Sequence, residues 1–164
     1  MDLRSAGFED FYRSNFARLA AAAFLMIGDR EEGADLAQEA FVRAYERWRA
    51  VSHHPHPEAW LFRVVANLAV SQLRRERLRS RWKRAWGSAA AAAPPHEVTE
   101  PAVLSALKDL TDAQRTVVVL RYYADLSVDQ VAEALGKRPG TVRALTSQAF
   151  SRLRPILEAK GVHR

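Results

Sequence analysis

The sequence predicts an all-α protein: two small helical domains, residues 1–86 and 101–164, joined by a flexible linker over 87–100. Three observations predict it. Apolar residues recur at spacings of three and four through most of the chain, and almost nothing alternates as a strand does. Helix-capping signals stop and restart the pattern at regular intervals. Between the two halves the composition shifts: seven of the eleven residues 74–84 are Arg or Lys, followed by Trp86-Gly87-Ser88, five alanines and Pro94-Pro95. Paired prolines and small residues after a charge run mark a boundary.

Bulk properties agree. The chain has 164 residues, 48% hydrophobic and 27% charged, close to an average globular protein. Two cores of about 60–80 residues each are individually marginal, because small domains bury a smaller fraction of their surface. The absence of cysteine excludes disulfides, thiol catalysis and cysteine-ligated zinc, and fits a reducing compartment. Lys and Arg outnumber Asp and Glu by 25 to 19, for a net charge of +6. That excess points to a polyanion, nucleic acid before membrane. The most apolar run, Leu19 to Ile27, is far short of the about 20 residues a spanning helix needs. No basic leader precedes it, so the expectation is a cytoplasmic protein without membrane contact.

In the first half, Phe8, Phe11, Tyr12, Phe16, Leu19, Ala23 and Ile27 line one helix that Gly28 is placed to end. Asp29 and Glu32 read as an N-cap and its returning carboxylate. The next helix puts Ala34, Ala37, Phe41, Ala44 and Trp48 on one face, leaving Asp35, Gln38, Glu39, Arg43 and Glu46 on the others. A loop over 49–58 holds His53-His54-Pro55-His56-Pro57. A third helix starts near Pro57, a favoured first-turn residue, and is apolar nearly all round as far as Val70. Its exception is a polar stripe, Arg63, Asn67, Ser71 and Arg74, which continues into the basic run with Arg75. A charge run is ordinarily a solvated helix face. Here one acid, Glu76, stands among seven bases, so pairing along the helix cannot neutralise it, and contact with phosphates and bases is the better reading.

In the second half, Thr99 precedes a short helix with Val103, Leu107 and Leu110. Thr111 with Gln114 and Ser127 with Gln130 form two capping boxes. The first opens a helix carrying Val117, Val118, Leu120 and Arg121, and the second a helix ending at Gly136. Pro139 starts the last helix, with Val142, Leu145, Ala149 and Leu153 inward. Two short helices joined by a tight turn make a helix-turn-helix, whose second helix enters the major groove. The opposite face of that helix holds Thr141, Arg143, Ala144, Ser147 and Gln148, with Lys137 and Arg138 in the turn. Gln and Arg suit base edges in the major groove. Arg138 stands where a Ser or Asp cap is better by roughly 1 kcal/mol, and a phosphate contact accounts for it.

Enzyme chemistry has no foothold. The seven glycines are dispersed, without a phosphate-cradling loop, and no motif sets a nucleophile beside a base. His53, His54 and His56 lie on one proline-interrupted loop, a poor zinc set without a second segment. No metal or cofactor is expected.

At these residues the chain resembles the extracytoplasmic-function sigma factors of bacterial RNA polymerase, in the sigma-70 superfamily. Asp35-Leu36-Ala37-Gln38-Glu39-Ala40-Phe41 resembles the family's polymerase-binding segment, and Trp60 to Asn67 its −10 helix. Leu120-Arg121-Tyr122-Tyr123, Ser127, Val131-Ala132, Leu135-Gly136 and Pro139 to Arg143 resemble its −35 reader. All three occur in the family's order, and the short loop with the Trp60-centred helix is most similar to an actinobacterial sigma-E-like subgroup. The resemblance implies a factor that binds core RNA polymerase through Asp35, Gln38 and Glu39. It implies −10 contacts from His53, His54, His56, Arg63, Asn67, Ser71, Arg74 and Arg75. It implies −35 contacts from Arg121, Lys137, Arg138, Thr141, Arg143, Ala144, Ser147 and Gln148. Partners implied are core polymerase, promoter DNA and, in some members, an anti-sigma factor. Ala144, Leu145 and Gln148 depart from the commoner recognition-helix residues, so the family's generic −35 preference is not carried over. Two rival readings stand beside this one: a stand-alone helix-turn-helix regulator, which leaves residues 8–84 without a role, and a protein that occupies polymerase without initiating.

Overall fold

A computed structural model describes residues 3–80 and 101–159. The linker over 87–100, the end of the basic run over 81–84 and the Thr99 capping signal lie outside the described residues. Among the described residues every regular element is helical.

Helix α1 (Leu3–Ile27) ends where Gly28 takes a left-handed φ of 81° and donates its N–H to Phe24 O at 2.7 Å. Asp29 caps α2 (Arg30–Glu46), its carboxylate accepting from the Glu32 N–H at 2.9 Å. The Glu32 carboxylate does not return to the cap. It reaches across to α4, accepting from Gln72 Nε2 at 2.6 Å. Helix α2 also ends earlier than the apolar spacing suggests. The N–H of Arg47 closes on Arg43 O, and Trp48 belongs to a separate turn, α3 (Trp48–Val51), which shortens the expected loop. There the indole packs edge-on to Phe8 at 5.3 Å and against Phe11 at 5.2 Å. Helix α4 (Pro57–Ser80) buries Leu61, Phe62, Val65, Ala66, Ala69 and Leu73 against α1 and α2.

The second domain holds α5 (Pro101–Lys108), α6 (Asp112–Val118), α7 (Val128–Leu135) and α8 (Pro139–Ala159). Both expected capping boxes form, at Thr111 with Gln114 and at Ser127 with Gln130. The helix opened by Thr111 does not run on regularly. After Val118 it widens into a π-helical segment, Val119–Tyr123, and the Ala124 N–H closes on Val119 O, five residues back, at 3.0 Å. Its core consists of Leu107, Leu110, Val117, Leu120, Val131, Val142, Ala149 and Leu153.

The two domains touch. Helix α7 packs on α4, and α6 with the π-helical segment packs on α1, so the buried apolar residues of both form one cluster.

Candidate polymerase and nucleic-acid interfaces

On α2, burial of Leu36, Ala37, Ala40, Phe41 and Ala44 leaves Asp35, Gln38 and Glu39 exposed. Glu39 accepts from Arg43 Nε at 2.9 Å, and Gln38 Oε1 accepts from the Tyr12 hydroxyl at 3.2 Å. One and two turns beyond Gln38 lie Val42 and Tyr45, 49% and 60% exposed. Sequence reasoning passed over these two. Their signal is apolar residues standing off the buried stripe, a pattern that marks a contact surface when it adjoins charged groups. An exposed pair such as Glu39–Arg43 contributes only about 0.3–0.5 kcal/mol. Replacing Gln38 and Glu39 by alanine is therefore expected to leave the thermal midpoint within about a degree or two. Affinity for core polymerase should fall, and titration against labelled core enzyme checks it.

In the first turn of α2, the Glu32 carboxylate is held above its ordinary pKa of 4.5, first by partial loss of hydration against its neighbours and then by the charges of Glu76 and Asp29. A carboxyl with a raised folded pKa binds its proton more tightly in the folded chain, so its ionised form destabilises the fold at neutral pH. That penalty disappears as pH falls through the raised value. Glu32→Gln, which retains an oxygen for Gln72, is expected to melt higher than the parent at neutral pH. The two should converge as pH approaches about 4.5, and paired melts across that window test it.

On α4 the structure brings Arg63, Asn67, Ser71 and Arg74 to one exposed stripe with Arg75 beside it. The histidine loop meets the N-terminal end of this stripe. His53 Nδ1 lies 2.7 Å from Arg49 O, and His54 Nδ1 accepts the backbone N–H of His56 at 3.0 Å. His54, His56, Trp60 and Arg63 form one wall of a cleft of about 130 Å³, whose other wall is Leu126, Gln130 and Glu133. Arg63 Nη1 donates across it to Glu133 Oε1 at 3.3 Å.

On the second domain, Gly136 at φ 60° turns the chain between α7 and α8, and the Lys137 N–H reaches back to Ala132 O at 2.9 Å. The Arg138 carbonyl accepts the N–H groups of Thr141 and Val142, so Arg138 occupies the cap position. Val142, Ala149 and Leu153 are buried, and Thr141, Arg143, Ala144, Ser147 and Gln148 are exposed along the other face of α8. Gln148 Oε1 lies 3.5 Å from Gln114 Nε2. Lys137, Arg138 and Arg143 are exposed and make no ion pair among the described residues. Arg121 is the exception among the expected contacts. The π-helical segment turns it inward, where Nη1 donates to Leu126 O at 2.6 Å and Nε is buried. It braces the turn before α7, and its guanidinium is not presented with the others.

Among the described residues, an all-helical fold with an exposed polar and basic stripe on one domain and a helix-turn-helix on the other defines the class of a DNA-binding factor. The family models agree on both: residues 11–79 match sigma-70 region 2, and residues 106–155 match sigma-70 region 4. The chain is 32% identical to the RNA polymerase sigma-E factor of Streptomyces avermitilis, over 94% of its own length and 87% of that protein's. It is 29% identical to the sigma factor SigL of Mycobacterium tuberculosis, over 93% and 90%. Its fold is similar to that of the sigma factor RpoE of Bartonella quintana, solved with the anti-sigma factor NepR, with a TM-score of 0.77 at 24% identity, covering 93% and 97% of the two chains. The chain belongs to the sigma-70 family of RNA polymerase sigma factors, as an extracytoplasmic-function member similar to the actinobacterial sigma-E proteins. A stand-alone regulator is set aside, because region 2 accounts for the half of the chain that such a regulator leaves unused.

Proposed function

We propose that this sigma factor docks on core RNA polymerase through Asp35, Gln38 and Glu39, with Val42 and Tyr45 completing that surface. It reads the −10 element with Arg63, Asn67, Ser71, Arg74 and Arg75 on α4 and the rim formed by His53, His54 and His56. It reads the −35 element with Lys137, Arg138, Thr141, Arg143, Ala144, Ser147 and Gln148. The observation that carries this reading is the pair of exposed polar faces, one on α4 and one on α8, each backed by a buried apolar face of the same helix. Phosphate contacts from the Arg and Lys residues position the protein, and the amide, hydroxyl and Arg143 groups offer base-edge hydrogen bonds.

The protein contributes recognition and not bond chemistry: nucleotide addition stays with the polymerase, and the factor works in the cytoplasm where that enzyme does. An anti-sigma protein is proposed as a third partner, since the fold relative described above was solved with one. Sequencing the 5′ ends of transcripts made by core polymerase with this protein tests the whole reading. Starts clustered downstream of a shared −35 and −10 pair are expected. Starts identical to those of core enzyme alone would overturn it.

A further inference from the structure

The capping box at Thr111 reaches further than the helix it opens. Gln114 is polar yet only 7% exposed, on α6 where that helix packs against α8. Its Oε1 accepts the Thr111 N–H at 3.2 Å, and its own backbone N–H donates to Thr111 Oγ1 at 3.2 Å. A backbone N–H can only donate, so the Gln114 amide has one orientation, and Nε2 is the end left over. That Nε2 lies 3.5 Å from Gln148 Oε1. The contact is long for a hydrogen bond, but its sign is what matters: the turned-over Gln148 amide would set NH2 against NH2. The constraint thus runs from one backbone N–H through two amides to the exposed face of α8. It ends at Gln148 Nε2, which has no partner among the described residues. Ala144, one turn before Gln148 on the same exposed face, is too short to cover it.

We propose that Gln114 is a positioning residue of the −35 surface: it holds the Gln148 amide with its NH2 outward, so that Gln148 selects a base by its keto edge, guanine O6 or thymine O4. The inference rests on the function proposed above and narrows it. An unconstrained glutamine suits adenine, accepting from N6 and donating to N7. That pairing needs the side-chain oxygen at the base, and here the oxygen is turned toward α6. What remains is a donor. In the major groove, guanine and thymine show an acceptor at the exocyclic position where adenine and cytosine show an amino group. An outward NH2 is matched by the first two bases and faces another donor at the second two. Gln114 touches no base and acts only through Gln148.

Selection by the holoenzyme from a promoter library randomised over the −35 element tests this, with variants of the two glutamines. Gln148→Ala locates the position, as the one whose preference is lost. Gln148→Glu, at an exposed site, calibrates it, because a carboxylate only accepts and so favours an amino edge, adenine or cytosine. The parent is expected to favour the opposite class there by about three- to tenfold, the worth of one net hydrogen bond. Gln114→Glu is the decisive change. Its carboxylate still accepts the Thr111 N–H and preserves the box. It cannot donate to Gln148, and instead accepts from Gln148 Nε2. The Gln148 amide then turns over, its oxygen faces out, and the preference should reverse to that of Gln148→Glu. With Gln148→Ala already in place, Gln114→Glu should change nothing at that position; a purely structural role for Gln114 would instead weaken every −35 position alike. A parent sharing the preference of Gln148→Glu would overturn the inference, as would a Gln114→Glu variant that melts normally and keeps the parent's preference. If Gln114→Glu melts early, the comparison of the parent with Gln148→Glu decides. A loss from Gln148→Ala spread over all positions would also overturn it, by removing Gln148 from base reading. Transcript starts made with core polymerase judge the proposed function separately.

Discussion

Gly33→Ala is expected to destabilise the first domain by about 1–3 kcal/mol, lowering the thermal midpoint by roughly 3–10 °C. Gly33 is buried where α1 and α2 cross. A Cβ there would stand 2.8 Å from Phe24 N, 3.1 Å from Phe24 Cα and 3.2 Å from Ala20 O. All three are backbone atoms of α1, so no rotamer change relieves the clash and the helices must part. That crossing positions the α2 face assigned to polymerase, so affinity for core enzyme should fall with stability. Gly140→Ala is the contrasting control. A Cβ there meets nothing within 4 Å, and the residue lies inside α8. Alanine should be neutral or stabilise by up to about 1 kcal/mol, through the helix entropy that glycine forfeits. Melts of the two variants with opposite signs are the expected result; equal losses would remove the argument from close approach.

Arg143→Ala should cost promoter binding about 1–3 kcal/mol and relax preference at a single −35 position. Arg143 is exposed on α8 beside Thr141 and Ala144, one turn before Ser147, on the face away from Val142 and Ala149. Its long fork suits a guanine edge. Lys137→Ala, in the turn before α8, should weaken all promoters alike and lower the salt slope by about one phosphate. Holoenzyme binding to a library randomised over the −35 element, at two salt concentrations, separates them. Equal, sequence-independent losses from both would reduce Arg143 to a backbone contact.

What could be read from the sequence was local. Asp29, Thr111 and Ser127 cap as expected, and Gly28 and Gly136 terminate helices, because each device acts within a few residues of itself. The α4 and α8 faces were equally legible, since helical period alone sorts buried from exposed positions. Trp48 was misplaced onto α2 because its spacing still fits 3.6 after the helix has broken at Arg47. The bond from Arg121 to Leu126 O was not foreseeable for a related reason: the π-helical turn changes the register, and no residue in Val119–Tyr123 announces it. The pairing of Arg63 with Glu133, 70 residues away, and the burial of Arg115 against a backbone carbonyl have no local signature. They follow from how two domains meet, which spacing along one helix does not encode.

The π-helical segment also bears on how such chains tolerate changes in length. Its wider turn holds one residue more than an α-helical turn would need, between α6 and the Ser127 cap. Deleting a single residue from Val119–Tyr123 would let the helix close as a regular α-turn with everything beyond it aimed nearly as before, because the wide turn and the α-turn each complete about one revolution. The same deletion inside α6 would swing everything beyond it by about 100°, the angle one residue subtends. Helices α7 and α8 would then keep every residue and every contact between them, yet the face assigned to the −35 element would aim elsewhere relative to the first domain. Related sequences aligned across this stretch should accordingly carry a one-residue gap within Val119–Tyr123 more readily than within α6.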